Sequence, residues 1–295
     1  MTSTMLASVV VPTYERPSKL ERMLESVCDQ TIEEYEIIVV DDGSKSPQQH
    51  DVLEHFAERE RIEVLQQENS GPAAARNRGW RRASGEFILF TDDDCVVPPE
   101  WIETLVEEFE EGIAAVGGSL VPLDELLETN SFARAHRFRD QMSYDEPDEP
   151  VRGHDDLAVG GTANVAYRRD VLAEMDGFDE SFPLAAGEDA DLQRRVVEAG
   201  YDMKFVPIAV RHNDDYAWRS FVKRAIRSGE GTHHFHRKHG EPRSVPRILF
   251  GLVGSVAYFP LALRHSCELD LASLYVLERI LCRYGELKST LGSEF

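Results

Sequence analysis

Phe87-Ile88-Leu89-Phe90-Thr91-Asp92-Asp93-Asp94 runs from four apolar residues straight into three consecutive carboxylates. A short apolar run of this kind reads as a buried strand, and its abrupt polar end as a strand terminus. Two earlier runs have the same form. Ala7 to Pro12 leads into Thr13-Tyr14-Glu15, and Glu36 to Val40 leads into Asp41-Asp42-Gly43-Ser44. Helical spacing fills the intervals. Leu20, Met23, Leu24 and Val27 predict a helix over 18–30, with Ser18-Lys19-Leu20-Glu21 as its capping box. Residues 50–60 read as helix and 62–66 as strand; Pro72 opens a helix to about Ser84, with Gly85 as its stop. Pro98 and Pro99 open another through about Glu111. Strands alternating with helices predict an α/β fold on a Rossmann-like, doubly wound, mostly parallel sheet. Ligands bind such sheets beyond the carboxyl ends of the strands. The polar clusters 13–15, 41–44 and 91–94 all fall there.

The second half is less regular. Residues 113–122 and 159–167 read as strands, 187–199 as a helix opening Gly187-Glu188-Asp189, and 203–212 as a strand ending at Arg211-His212. The polar, acidic stretch 124–157, with Pro147 and Pro150, reads as irregular or mobile. From about 216 the chain reads as helical to its end. The expected organisation is a catalytic domain over 1–215 and a helical C-terminal extension over 216–295, the latter associated with acceptor or membrane. Within it, Ile248 to Leu263 is the most apolar stretch. Sixteen residues interrupted by Pro260 are short for a membrane span, which needs about 20. Core packing is the first expectation for this stretch. Contact with an anionic membrane surface, favoured by Arg243, Arg247 and Arg264, is the second.

Composition excludes several classes. A net charge of -22 repels nucleic-acid backbones, so no nucleic-acid partner is expected. The same charge repels a diphosphate unless a metal or a local cationic site compensates. Few lysines and many carboxylates suit either a high-salt cytoplasm or an ordinary acidic cytosolic protein. Cys28, Cys95, Cys267 and Cys282 have no CxxC spacing and read as free thiols in a reducing compartment. The N-terminus has no basic region before its first apolar run, so no signal peptide is expected. The expected location is cytoplasmic, including the cytoplasmic face of a membrane as a peripheral protein.

Adjacent carboxylates at a strand end repel one another, and a divalent cation removes that cost. Oxygen ligands suit Mn2+ or Mg2+, which bind diphosphates as well. An acidic turn is the plain alternative. The wider pattern favours the metal. Val9-Val10-Val11-Pro12-Thr13-Tyr14-Glu15-Arg16-Pro17, Ile37-Ile38-Val39-Val40-Asp41-Asp42-Gly43-Ser44, Gly71-Pro72-Ala73-Ala74-Ala75-Arg76-Asn77, Thr91-Asp92-Asp93-Asp94 and Gly187-Glu188-Asp189-Ala190-Asp191-Leu192 occur in order, followed by His212. This set resembles the family 2 glycosyltransferases, inverting enzymes of the GT-A fold, over about residues 6–215.

The resemblance implies roles. Pro12, Thr13 and Glu15 line the nucleotide pocket, although family members often carry Asn at the position of Glu15. Asp42 accepts from the base, which favours a UDP- or dTDP-sugar donor, and Arg76 approaches the nucleotide or its phosphates. Asp92 and Asp94 form the metal motif, Asp94 the firmer ligand, with Asp93 adjoining the donor site and His212 a further ligand. Asp189 is the general base, Glu188 orients the acceptor, and Asp191 supports the helix start. Apart from the resemblance, Gly160-Gly161-Thr162-Ala163-Asn164 reads equally as a backbone approach to the donor sugar or acceptor and as a strand-entry turn, and His233, His234, His236 and His239, a cluster able to bind metal, read as mainly solvated on a polar helical segment, with contact to an acceptor phosphate as a further reading. The implied reaction is inverting transfer from a nucleotide sugar to an acceptor hydroxyl, in cell-surface glycan, lipid-linked oligosaccharide or glycoprotein assembly. The alternatives are a sugar-phosphate nucleotidyltransferase and an inactive nucleotide-sugar-binding scaffold. The first would carry a Gly-rich basic loop after its first strand, where this chain has Thr13-Tyr14-Glu15-Arg16. The second would lack Asp94 or Asp189, and both are present.

Overall fold

The computed structural model describes residues 6–143, 146–153, 159, 161–183 and 185–292. The chain forms two compact units. One comprises Met1–Val121, Glu146–Glu180 and Leu192–Asn213; the other comprises Pro122–Asp145, Ser181–Asp191 and Asp214–Phe295. A single cut near 215 does not anticipate that 122–145 and 181–191 join the C-terminal helices.

The strands are β1 (Ala7–Thr13), β2 (Tyr35–Asp41), β3 (Ile62–Gln66), β4 (Phe87–Phe90), β5 (Cys95–Val96), β6 (Ile113–Pro122), β7 (Val151–Gly153), β8 (Val165–Arg168) and β9 (Asp202–His212). The helices are α1 (Pro17–Cys28), α2 (Pro47–Ala57), α3 (Pro72–Arg82), α4 (Trp101–Glu107), α5 (Asp124–Thr129), α6 (Ser131–Ser143), α7 (Arg169–Glu174), α8 (Glu188–Glu198), α9 (Trp218–Lys238), α10 (Val245–Ser255), α11 (Phe259–Ser266) and α12 (Leu269–Gly292).

The sheet order is β3-β2-β1-β4-β8-β6-β9-β5, with β7 also on β9. Strands β3, β2, β1 and β4 are parallel, as the alternation of strands and helices predicts. Beyond them β8 pairs antiparallel with both β4 and β6, and β9 antiparallel with β5 and β7. Side chains alternate across β1 and β2. Val9, Val11, Ile37 and Val39 meet Leu20, Met23, Leu24 and Val27 of α1 on one face. Val10, Ile38 and Val40 join Ala73, Ala75 and Trp80 of α3 on the other. Each fully buried Leu, Ile, Val or Met contributes roughly 1.5–3 kcal/mol. Gly79 makes the second contact close, because a Cβ there would lie 2.3 Å from Val10 Cγ1.

Several expectations need correction. Helix α1 starts at Pro17 with Arg16 as N-cap and no side-chain cap, so the Ser18 capping box is not formed. Proline at the first turn already supplies a helical φ and lacks an N–H to satisfy. The strand expected over 159–167 is confined to Val165–Arg168, and Gly160 lies outside the described residues. The stretch 124–157 is not irregular throughout, because it holds α5, α6 and β7. Its apolar content is low, but Ala135 and Phe138 pack on Tyr275, Leu271 and Val276 of α12, more than a hundred residues away. Arg134–Glu268 at 2.6 Å and Arg139–Glu278 at 3.0 Å reinforce the pairing.

In the second unit, α9 and α12 approach to backbone contact. A Cβ on Gly229 would lie 1.8 Å from the Cys282 carbonyl, and one on Gly285 would lie 2.1 Å from that of Ile226. This crossing shelters part of the histidine cluster expected in solvent. His233 is 9% exposed and shares a 3.0 Å hydrogen bond with Thr290 Oγ1. Burial, then neighbouring positive charge, lowers the pKa of His233, His234 and His236 below the ordinary 6.5. The unfolded chain therefore takes up protons below pH 6.5 that the folded chain refuses. Stability from these groups is present above that pH and is lost as pH falls through their folded values. The melting temperature should drop on acidification below pH 6.5, and replacing all three by Gln should flatten that slope in thermal melts.

Candidate active site

Strand register assembles the site. Thr13 pairs with Asp41, and Val10 with Phe90, so the polar residues after β1, β2 and β4 emerge along one edge. The Asp42 N–H donates to the Thr13 carbonyl at 2.9 Å, joining two of these ends. The third component comes from far along the chain. Cys95 pairs with His212 across the antiparallel β5–β9 contact. The Asn213 N–H also donates to the Asp94 carbonyl at 2.7 Å. His212 Nε2 consequently sits 3.4 Å from Asp94 Oδ1.

Each aspartate of the triplet has its own surroundings. Arg76 Nη2 donates to Asp92 Oδ1 at 2.8 Å; the Arg76 side chain is 6% exposed and that of Asp92 32%. Asp93 Oδ2 accepts from Thr13 Oγ1 at 2.8 Å and its Oδ1 from Arg16 Nη1 at 3.0 Å. The same Arg16 nitrogen donates to Asp94 Oδ2 at 2.8 Å, and Lys19 Nζ lies 3.8 Å from that oxygen. Burial pushes the Asp93 pKa up to about 6, against Arg16 and with the help of Asp94. Burial also acts to raise that of Asp94, but the His212 hydrogen bond and charge, with Arg16 and Lys19, hold it well below the carboxylate range.

The remaining candidates are in place with defined partners. Pro12 and Thr13 end β1, and Thr13 Oγ1 also accepts from Gln49 Nε2 at 2.9 Å. Glu15 adopts a left-handed φ of 56°, which disfavours most side chains and which Asn tolerates better. Its N–H donates to Ser44 Oγ at 3.0 Å, and its Oε1 accepts from the Lys45 N–H at 2.5 Å. Asp42 accepts from Gln67 Nε2 and the N–H groups of Ser70 and Gly71 at 2.8–2.9 Å, bracing the turn into α3. Asn164 is fully buried. It donates to the Ser119 and Ile208 carbonyls and accepts from Trp101 Nε1, which makes it a packing hub of the sheet.

Glu188 and Asp189 open α8 and belong to the second unit. Glu188 is 5% exposed; Asp189 is part-exposed, and its Oδ1 accepts from the Ala190 N–H at 2.8 Å. Asp191, fully buried, takes Lys238 Nζ at 2.6 Å and His239 Nε2 at 3.0 Å, tying α8 to α9. Sequence reasoning missed Arg16 and Gln49. Their signal was a cation and an amide beside the polar strand ends, which is indistinguishable from ordinary surface residues until the strands are paired.

A parallel sheet edge thus carries a cation-braced acidic triplet and an adjoining imidazole. The glycosyl transferase family 2 sequence model matches residues 8–176, and the chain belongs to that family. It is 32% identical over 220 residues to the pre-mycofactocin glycosyltransferase of Mycobacterium tuberculosis, covering 74% of this chain and 44% of that one. This chain therefore spans less than half the length of that relative. It is also 32% identical over 183 residues to the glucosyl-dolichyl phosphate glucuronosyltransferase of Haloferax volcanii, covering 59% of this chain and 56% of that one. In structure it resembles the Pyrobaculum calidifontis mannosyltransferase solved with GDP-Man and Mn2+, with a TM-score of 0.60 and 17% identity over 99% of this chain and 76% of that one. The chain has the GT-A fold.

Proposed function

We propose that this enzyme transfers a sugar, with inversion, from a nucleoside-diphosphate sugar to an acceptor hydroxyl at a divalent cation held by Asp94 and His212. The observation that carries this reading is the 3.4 Å approach of His212 Nε2 to Asp94 Oδ1, which brings an imidazole and a carboxylate together at the carboxyl edge of the sheet. Among the described residues no three His, Cys, Asp or Glu side chains form a ready cage. Cations that serve diphosphates usually take one or two protein ligands and complete their shell with phosphate and water, so this pair fits. Bound there, Mn2+ or Mg2+ would act as a Lewis acid that withdraws charge from the leaving diphosphate.

The chain's own residues supply the rest. Thr13, Pro12 and Glu15 line the nucleotide, Asp42 accepts from its base, and Asp93 keeps the strand end closed beneath it. Asp92, already braced by Arg76, would meet the ribose or help to hold the cation. Asp189 takes the proton of the acceptor hydroxyl while that oxygen bonds to the anomeric carbon. The bond from that carbon to the diphosphate oxygen breaks, and its electron pair leaves with the diphosphate. Glu188 orients the acceptor. The unit that holds the sheet carries the donor chemistry, and the unit that holds Glu188, Asp189 and the helices after 216 serves the acceptor.

A uridine or thymidine donor is favoured by the carboxylate of Asp42, which can accept an N–H. A lipid-linked glycan acceptor, met at the cytoplasmic membrane face, is favoured by the dolichyl-linked substrate in the name of the Haloferax relative. A panel of nucleotide sugars with Mn2+ and with Mg2+, read by nucleoside diphosphate release, tests the reading. No release with any donor, despite donor binding, would favour the scaffold alternative.

Arg16 supports a further expected result. Its guanidinium bridges Asp93 and Asp94 and supplies the positive charge that a cation would otherwise provide. Arg16→Gln should raise Mn2+ affinity about tenfold in calorimetry without donor, equivalent to ~1.4 kcal/mol. Unchanged or weaker Mn2+ binding would show that Arg16 does not compete for these carboxylates.

A further inference from the structure

The apolar stretch does not pack into the core. Val245–Ser266 runs through α10, one 3-10 turn at Val256–Tyr258 and α11, and is long and apolar enough to cross a membrane. Only 17% of its most apolar window is buried, so the expectation of core packing fails. Pro260 does not stop the helix, because it falls in the first turn of α11, where no N–H is needed.

The segment has two faces. Ile248, Ser255 and Ala262, spaced by seven residues, are almost fully buried and form the seam that meets α12. The other face is an apolar ridge. Phe250 is 81% exposed, Val253 72% and Val256 57%, with Leu249 and Leu261 also exposed. Soluble proteins rarely show water a contiguous apolar patch on this scale without a partner.

Charge identifies the partner. No charged residue lies between Arg247 and Arg264, and both arginines are exposed, with Arg243 before them and His265 after. Residues 216–295 hold twelve Lys and Arg against seven Asp and Glu, whereas residues 1–215 hold 20 against 47. An acidic protein has thus placed its cationic excess in the region that carries the ridge. Apolar residues between arginines match a bilayer's acyl boundary and its anionic phosphates.

We propose that Val245–Ser266 lies in the interface of an anionic lipid bilayer, with Phe250, Val253 and Val256 inserted below the headgroups and Arg247 and Arg264 on the lipid phosphates. A spanning orientation is disfavoured by α12. That helix packs along the seam and carries Glu278, Arg279, Arg283 and Glu286, which would have to enter hydrocarbon with it. This inference extends the lipid-linked acceptor reading. Its test uses neither donor nor acceptor, so the two fail separately.

The full chain should sediment with vesicles of equal parts phosphatidylcholine and phosphatidylglycerol, and not with phosphatidylcholine alone. Phe250→Glu with Val253→Glu should weaken this binding at least about tenfold. Both positions face solvent, so the melting curve should be unchanged. Arg247→Glu with Arg264→Glu should abolish the preference for phosphatidylglycerol. As an independent reading, a tryptophan introduced by Phe250→Trp should be quenched by brominated lipid. Wild-type protein left in the supernatant, or equal binding by the Phe250/Val253 variant, would overturn the proposal. Resistance to alkaline carbonate would replace it with a spanning segment. A concentration-dependent dimer lost in the same variant, without vesicle binding, would assign the ridge to a second copy of this chain.

Discussion

Asp94→Asn should reduce metal-stimulated transfer by about 10³-fold or more, because it removes the carboxylate on which the diphosphate's counter-charge depends. The substitution keeps the shape of a side chain that is 4% exposed. The β5–β9 junction should survive, since Asn213 bonds to the backbone carbonyl of residue 94 and not to its side chain. The loss should therefore appear as failed Mn2+ binding in calorimetry and as lost nucleoside diphosphate release, with the fold intact by circular dichroism. Asp92→Asn should be milder, because Asp92 is tied to Arg76 at 2.8 Å and is not beside the imidazole. Mn2+-stimulated turnover in Asp94→Asn within about tenfold of wild type would remove Asp94 from the metal site.

The second large effect is expected at Asp189. Its replacement by Asn should lower kcat by about 10²–10⁴-fold, the usual worth of a positioned general base. Donor and Mn2+ affinities should be retained, which separates the base from the metal ligand. The neighbouring Asp191 provides the control. It is fully buried on Lys238 and His239, so Asp191→Asn should lower the melting temperature through a broken buried ion pair. A fall in donor affinity for Asp189→Asn, with kcat preserved, would make it a binding residue and leave the base unassigned.

Legibility in the sequence followed a physical division. Strands β1, β2 and β4 were readable because each is a continuous apolar run buried on both faces, which few other structures require. The acidic triplet was readable because three adjacent carboxylates are costly without compensation. Helix α6 was not readable, because its buried face consists mainly of small residues matched to a partner more than a hundred residues distant. The histidines of α9 looked solvated because the glycine crossing that encloses them involves residues 229 and 285. The stretch 248–263 looked like core because composition reports how apolar a helix is and not what covers it.

By itself the sequence determined the parallel half of the sheet and the edge on which its polar residues collect, since alternation and strand ends are local properties. Only the tertiary structure decided how the triplet divides its work. Asp92 meets Arg76, Asp93 meets Thr13, and Asp94 meets His212, because the β5–β9 pairing brings residue 212 against residue 95. Three chemically identical side chains in a row became distinguishable through their neighbours. Those neighbours are set by strand register, which no local run of residues encodes.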